Sequence, residues 1–155
     1  MEVKDKNGET VVLKNNVGGW CRYYLIRGGL TNKEIARALH ESGIRTGLCI
    51  DPDLEQVKAA HRVGARAVEL HAGRYGERGP DHEEVLRRIE DAVRLAAKLK
   101  LEIGVGHGID YGNVGKLAEN DLIDEFSIGH AIVSRAIYVG MERAVREMKQ
   151  LVGHA

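Results

Sequence analysis

The 155-residue sequence is poor in cysteine and carries no net charge. Its two cysteines, Cys21 and Cys49, match neither a disulfide framework nor a metal-binding spacing. Lysine plus arginine and aspartate plus glutamate both number 23, so no overall field favours nucleic acid or an anionic membrane. Met1 precedes a charged, polar segment without an apolar stretch of signal-peptide or membrane-spanning length. We therefore expect a reduced, cytoplasmic protein without nucleic-acid or membrane partners.

Glycine is abundant by contrast, with 19 of the 155 residues. An average protein has about 7% glycine. The glycines cluster at the ends of strand-like runs, where ligand-binding loops occur, and do not form a linker. With 43% hydrophobic residues, the length suits a single domain over residues 1–155 with its own core.

Beyond Arg45 the hydrophobic pattern becomes a regular alternation of strands and helices. The predicted strands are residues 46–50, 67–70, 101–105 and 126–128. The predicted helices are residues 53–63, 81–99, 113–119 and 131–151, with an earlier one at about 32–42. Such repeated βα units require parallel strands and right-handed crossovers. Residues 43–152 are therefore predicted to form four βα units of an α/β protein.

The N-terminal segment, residues 1–29, does not follow this pattern. Two strand-like runs, residues 9–13 and 20–26, flank a turn-like sequence at residues 14–19. These runs predict a β-hairpin.

Alternation along the strands predicts which side chains face the helices. Side chains of one parity are apolar and are predicted to pack under the helices: Leu48, Ile50, Val68, Leu70, Phe126 and Ile128. Those of the other parity are small or polar: Gly47, Cys49, Asp51, Ala67, Glu69, His71, Ser127 and Gly129. Glu69 is the most informative, because a carboxylate on the inner face of a parallel sheet is costly unless it is paired, hydrogen-bonded or catalytic.

Two glycine-histidine pairs follow the last two predicted strands. His107 lies within GVGHGIDYGN at residues 104–113, and Gly129-His130 follows the next strand. Glycines allow close backbone approach to a ligand, and a helix N-terminus suits phosphate. In α/β barrels, phosphate commonly binds after the last two strands. His107 is a candidate acid/base or substrate contact, the alternative being a polar loop residue, while His130 binds phosphate or simply begins a helix.

Other polar residues near the strand ends have simpler interpretations. Asp51 and Asp53 precede a predicted helix and suit capping better than catalysis. The segment from Asp110 to Asn113 either caps the next helix or contacts ligand. Glu69, His71, His107 and His130 all fall at the ends of adjacent strands and could converge on a metal ion. No HxH or HExxH spacing supports one, so no metal is predicted.

Three motifs occur in order: GIRTGLCIDPDLEQVKAAHRVGARAVELHAG, LEIGVGHGIDYGNV and FSIGHAIVSRAIYVGMERAVREMKQL. Together they closely resemble the second half of the pyridoxine 5′-phosphate synthase family, over about Gly43 to Val152. The resemblance implies a TIM-barrel-like fold. It also implies condensation of 1-deoxy-D-xylulose 5-phosphate with 3-amino-2-oxopropyl phosphate, in vitamin B6 biosynthesis, without a metal or organic cofactor. By the same resemblance, His107 matches the proton donor and Glu69 a residue that stabilises the transition state. Gly108, Gly129 and His130 match contacts to the aminoketone phosphate.

The sequence departs from that family before about Gly28. The family's first strands carry an Asn-and-Asp-His motif, a His followed by an Arg-rich loop, and a Glu, and none of these occurs here. A closed barrel needs roughly 200 residues or more. We therefore expect a partial barrel, about half, that pairs with a second copy edge to edge. A non-catalytic half-barrel that binds phosphate or a partner chain is the alternative function.

Overall fold

The computed structural model describes residues 2–4, 10–12 and 32–153. The strands are β1 (Glu2–Lys4), β2 (Thr10–Val12), β3 (Gly47–Ile50), β4 (Ala67–His71), β5 (Glu102–Gly106) and β6 (Glu125–Ser127). The helices are α1 (Asn32–Glu41), α2 (Leu54–Arg62), α3 (Gly73–Gly76), α4 (His82–Lys98), α5 (Val114–Ala118), α6 (His130–Val139) and α7 (Met141–Val152).

Four strands form a parallel sheet in the order β3-β4-β5-β6. Each strand lies beside the one that precedes it in the chain, as repeated βα units require. The register aligns Cys49 with Glu69, Glu69 with Gly104, and Gly104 with Glu125 in one row across the sheet. The predicted α/β fold with parallel strands is therefore confirmed, and every predicted strand of this sheet is within one residue of its observed bounds.

The helices cover the sheet face that parity assigned to apolar side chains. Val68 and Leu70 are completely buried beneath them, together with Val105 of the next strand. From the helices, the apolar stripe of α4 contributes Ile89 and Val93, which are also completely buried. Burying such a side chain stabilises the fold by about 1.5 to 3 kcal/mol relative to leaving it exposed. The opposite face, which carries Glu69, is thereby left to polar groups.

The start of α2 illustrates how local sequence determines an element boundary. Asp53 is the N-cap, and its Oδ1 accepts hydrogen bonds from the backbone N–H groups of Glu55 and Gln56 at 2.9 and 3.0 Å. Asp51 instead accepts a 3.2 Å hydrogen bond from the Gln56 side chain. Both aspartates thus accept hydrogen bonds from residues in the first turn of this helix, and capping by Asp53 is confirmed.

One sequence prediction needs correction, and another lies partly outside the described residues. The strand predicted at residues 9–13 is present as β2 and pairs antiparallel with β1, and its predicted partner at 20–26 lies outside the described residues. The helix predicted at residues 131–151 is divided into α6 and α7 by Gly140, whose φ of +83° is incompatible with a continuous α-helix.

Among the described residues 2–4, 10–12 and 32–153, no helix combines the length and apolar character needed to cross a membrane.

Candidate active site

Glu69, His107 and Ser127 come together at the carboxyl ends of β4, β5 and β6. The Ser127 hydroxyl donates a 2.8 Å hydrogen bond to Oε2 of Glu69. The other carboxylate oxygen, Oε1, lies 3.7 Å from Nδ1 of His107. The Glu69 side chain is only 14% exposed, whereas that of His107 is 42% exposed. The carboxylate is therefore fixed within the sheet face, and the imidazole is accessible from solvent.

A glycine on the central strand makes this contact possible. Gly106 of β5 aligns with Ser127 of β6, between the strands that carry Glu69 and Ser127. A Cβ at Gly106 would lie 2.9 Å from Oε1 of Glu69 and 3.0 Å from Cβ of Ser127. Real Cβ atoms essentially never approach other atoms more closely than 3.0 Å. Any larger residue would therefore displace the carboxylate or the serine.

The loop that carries His107 has an unusual backbone. His107 has a φ of +69° and Gly108 a φ of +66°, the left-handed region that only glycine adopts readily. The Asn113 side chain braces this loop, because its Oδ1 accepts from the Asp110 backbone N–H at 2.8 Å and its Nδ2 donates to the Gly108 carbonyl at 2.9 Å. The segment from Asp110 to Asn113 thus shapes the loop.

The short helix α3, which the sequence pattern did not indicate, packs against the loop that carries His107. A Cβ at Gly76 would lie 2.4 Å from the Gly108 carbonyl oxygen, so the two backbones are in direct contact. In the same helix, the Tyr75 side chain is 1% exposed, and its hydroxyl donates a 2.9 Å hydrogen bond to the Asn113 carbonyl. Burial raises the pKa of Tyr75, and the nearby Arg78 guanidinium partly opposes that rise.

A cavity of about 600 Å³ adjoins this cluster. Its lining residues are His107, Gly108, Ile109, Asp110, Ser127, Ile128, Gly129, His130 and Ala131. It therefore brings together the two glycine-histidine loops that sequence analysis selected. Gly129 is the N-cap of α6, so the cavity is lined by the first residues of that helix, whose backbone N–H groups have no partner within the helix.

The remaining candidates occupy neighbouring positions. His71 stacks on His107, with ring centroids 4.2 Å apart. Asp110 accepts hydrogen bonds at 2.7 and 2.9 Å from Nη2 of Arg78. Sequence analysis did not select Arg78 or Ser127 as site residues. The alternation of side chains along the strand predicted that Ser127 lies on the polar face of the sheet. Its hydrogen bond to Glu69 depends on the register between strands, which this alternation does not determine.

Solved structures show the same architecture at low sequence identity. A mutant flavocytochrome b2 with benzoylformate matches 81% of this chain and 34% of its own chain, with a TM-score of 0.55 and 22% identity. A mandelate oxidase variant matches 81% of this chain with a TM-score of 0.50 and 21% identity. At such identities the likeness concerns the fold alone.

Parallel strands in sequential order, helices on one face and glycine loops at the carboxyl ends define part of a TIM-barrel-like fold. The family model described as "Pyridoxal phosphate biosynthesis protein PdxJ" matches residues 26–154. The chain belongs to the PdxJ family.

Curated relatives agree with this assignment. A pyridoxine 5'-phosphate synthase of Syntrophotalea carbinolica is 48% identical over 127 residues, which are 81% of this chain and 53% of the relative. Another pyridoxine 5'-phosphate synthase, from a Geobacter species, is 49% identical over 119 residues, 76% of this chain and 50% of the relative. The chain thus spans about half the length of the curated relatives it matches. These names support an assignment to vitamin B6 biosynthesis.

Proposed function

We propose that this chain carries half of a pyridoxine 5′-phosphate synthase site, which condenses 1-deoxy-D-xylulose 5-phosphate with 3-amino-2-oxopropyl phosphate. The observation that carries the proposal is the contact between Glu69 and His107 beside a cavity lined by two glycine-histidine loops. A carboxylate and an imidazole 3.7 Å apart can both form hydrogen bonds to a substrate that lies beside them, and can exchange protons with it.

Each group has a role that its surroundings support. His107 acts as proton donor, because its ring is accessible from solvent and lies beside the Glu69 carboxylate at the edge of the cavity. Glu69 stabilises positive charge that develops on the substrate, and Ser127 holds the carboxylate in place for that purpose. The aminoketone phosphate is bound by Gly108, Gly129 and His130, where a helix N-terminus offers backbone N–H groups.

The alternative is a half-barrel that binds phosphate without catalysing the reaction. It is favoured by the demands of the reaction. Ring closure needs several proton transfers, and the described residues at the site that could serve are Glu69, His107, His71 and His130. A second copy of the chain would supply further groups if two half-barrels associate.

The test is formation of pyridoxine 5′-phosphate from the two phosphorylated substrates by the purified chain. His107→Ala is expected to reduce the rate by about 10² to 10⁴, the usual contribution of a general acid. His61→Ala is the matched control, because His61 is exposed in the last turn of α2, which leads into the amino end of β4, whereas the candidate site lies at the carboxyl ends of the strands. No product from a folded sample that still binds inorganic phosphate would favour the non-catalytic alternative, and equal rates in both variants would refute the role of His107.

A further inference from the structure

The side chain of Cys49 lies close to those of Glu69 and His107. Cys49 lies on β3, in register with Glu69 on β4 and on the same sheet face. One ligand atom from each of Cys49, Glu69 and His107 lies within 4.8 Å of the other two. The cysteine was not among the residues whose strand-end positions suggested a metal ligand in the sequence. We propose that these three residues bind a zinc-class divalent ion at the mouth of the candidate active site.

The donor set matches the chemistry of zinc. A thiolate, an imidazole nitrogen and a carboxylate oxygen are the three protein ligands that Zn²⁺ prefers. Bond lengths of about 2.0 to 2.3 Å place tetrahedral ligands about 3.3 to 3.7 Å apart. Nδ1 of His107 and Oε1 of Glu69 lie 3.7 Å apart, a few tenths of an ångström beyond the roughly 3.3 to 3.4 Å of a tetrahedral nitrogen–oxygen pair. Sγ of the exposed Cys49 lies within 4.8 Å of a ligand atom of each, and rotation about its χ1 can adjust that distance.

The hydrogen bond from Ser127 prepares the carboxylate for this role. It engages Oε2 of Glu69 and leaves Oε1 directed at His107. Zinc sites commonly contain such an outer partner, which orients the ligand and increases metal affinity. Three protein ligands leave the fourth position of a tetrahedral ion open to water or to an oxygen of a small molecule.

A metal ion bound at this site would inhibit the condensation reaction proposed for the chain. A bound ion would occupy both Glu69 and His107, so neither could exchange a proton with substrate. Zinc is therefore expected to act as an inhibitor competing with substrate, not as a cofactor. The metal site itself does not depend on the proposed function, because its occupancy is measured without substrate and fails or succeeds independently of turnover.

Cobalt(II) absorption provides the first test, since thiolate coordination gives a charge-transfer band and tetrahedral geometry gives intense visible bands. The full chain titrated with Co²⁺ should show both, and Zn²⁺ should displace the cobalt. Cys49→Ser should abolish the charge-transfer band, whereas Cys21→Ser, the matched control, should retain it. Ser127→Ala should weaken Zn²⁺ affinity about 10-fold to 100-fold in calorimetry. A band that persists in Cys49→Ser, or micromolar Zn²⁺ that fails to bind, would overturn the proposal.

A second measurement requires no variant and so does not depend on variant folding. Zn²⁺ should protect Cys49 of the unmodified chain from alkylation by iodoacetamide, with the modified cysteine identified by peptide mass spectrometry. Equal labelling of Cys49 with and without saturating Zn²⁺ would also overturn the site.

Discussion

Ser127 and Glu69 are joined by a 2.8 Å hydrogen bond although a whole strand, β5, lies between the strands that carry them. The contact crosses that strand at Gly106, where a Cβ would come within 3.0 Å or less of both partners. The carboxylate is thereby held at one oxygen, and its other oxygen faces His107. A serine two strands away from Glu69 thus helps to determine where the charged group of the candidate site lies.

Ser127→Ala should therefore reduce kcat for pyridoxine 5′-phosphate formation by about tenfold and leave KM within about twofold. A hydrogen bond to a charged group contributes about 1.5 kcal/mol, which corresponds to that factor. Steady-state kinetics measures both constants. Ser134→Ala is the matched control, because Ser134 is exposed on α6. An increase in KM with unchanged kcat would show that Ser127 binds substrate and does not position Glu69.

Gly76→Ala should lower the free energy of unfolding by about 1 to 3 kcal/mol, the usual cost of overpacking. The new Cβ would lie 2.4 Å from the Gly108 carbonyl oxygen, and neither backbone can move without disturbing the His107 loop. Gly79→Ala is the control, because nothing lies within 4 Å of a Cβ there. Urea unfolding compares the two variants, and equal stabilities would contradict the close contact between α3 and the loop.

Tyr75→Phe should cost about 1 kcal/mol at neutral pH through loss of the hydrogen bond to Asn113. Because the pKa of Tyr75 is raised above 10.0, the folded protein retains that proton more tightly than the unfolded chain. Its contribution is complete below pH 10.0 and is lost as pH rises through the folded-state pKa. Unfolding experiments at several pH values should show that Tyr75→Phe no longer loses this part of the free energy of unfolding at alkaline pH. Tyr138→Phe, at a residue that is 86% exposed, should still lose it.

The chain should self-associate at micromolar concentration. Within the part of the chain that the structure describes, β3 and β6 are the outer strands of the parallel sheet, and such edges favour pairing with another chain. Beside β6, helix α6 exposes Ile137 at 79%. Sedimentation velocity should reveal a dimer or larger species, and Ile137→Glu should shift it towards monomer. Arg87→Glu, on the exposed surface of α4, should not, and a monomeric unmodified chain would refute association.

Much of this architecture follows from sequence because its causes are local. Alternation within a strand identified Glu69 as a polar residue on the face away from the helices, and glycines around His107 indicated a ligand loop. The pairing of Glu69 with Ser127, and the approach of Cys49, depend on register between strands, a non-local property. The break at Gly140 was missed because the apolar pattern continues across it, and a single glycine is tolerated in many helical patterns.

The left-handed backbone at His107 carries a consequence for engineering. A non-glycine residue in that region costs about 1 kcal/mol or more, which the surrounding contacts must offset. Glycine at this position would relieve the penalty, so a library screened for heat resistance alone should enrich the substitution that removes the imidazole. Directed evolution of this fold for thermal tolerance thus needs a simultaneous selection for ligand chemistry, or it will discard the residue on which the candidate site depends.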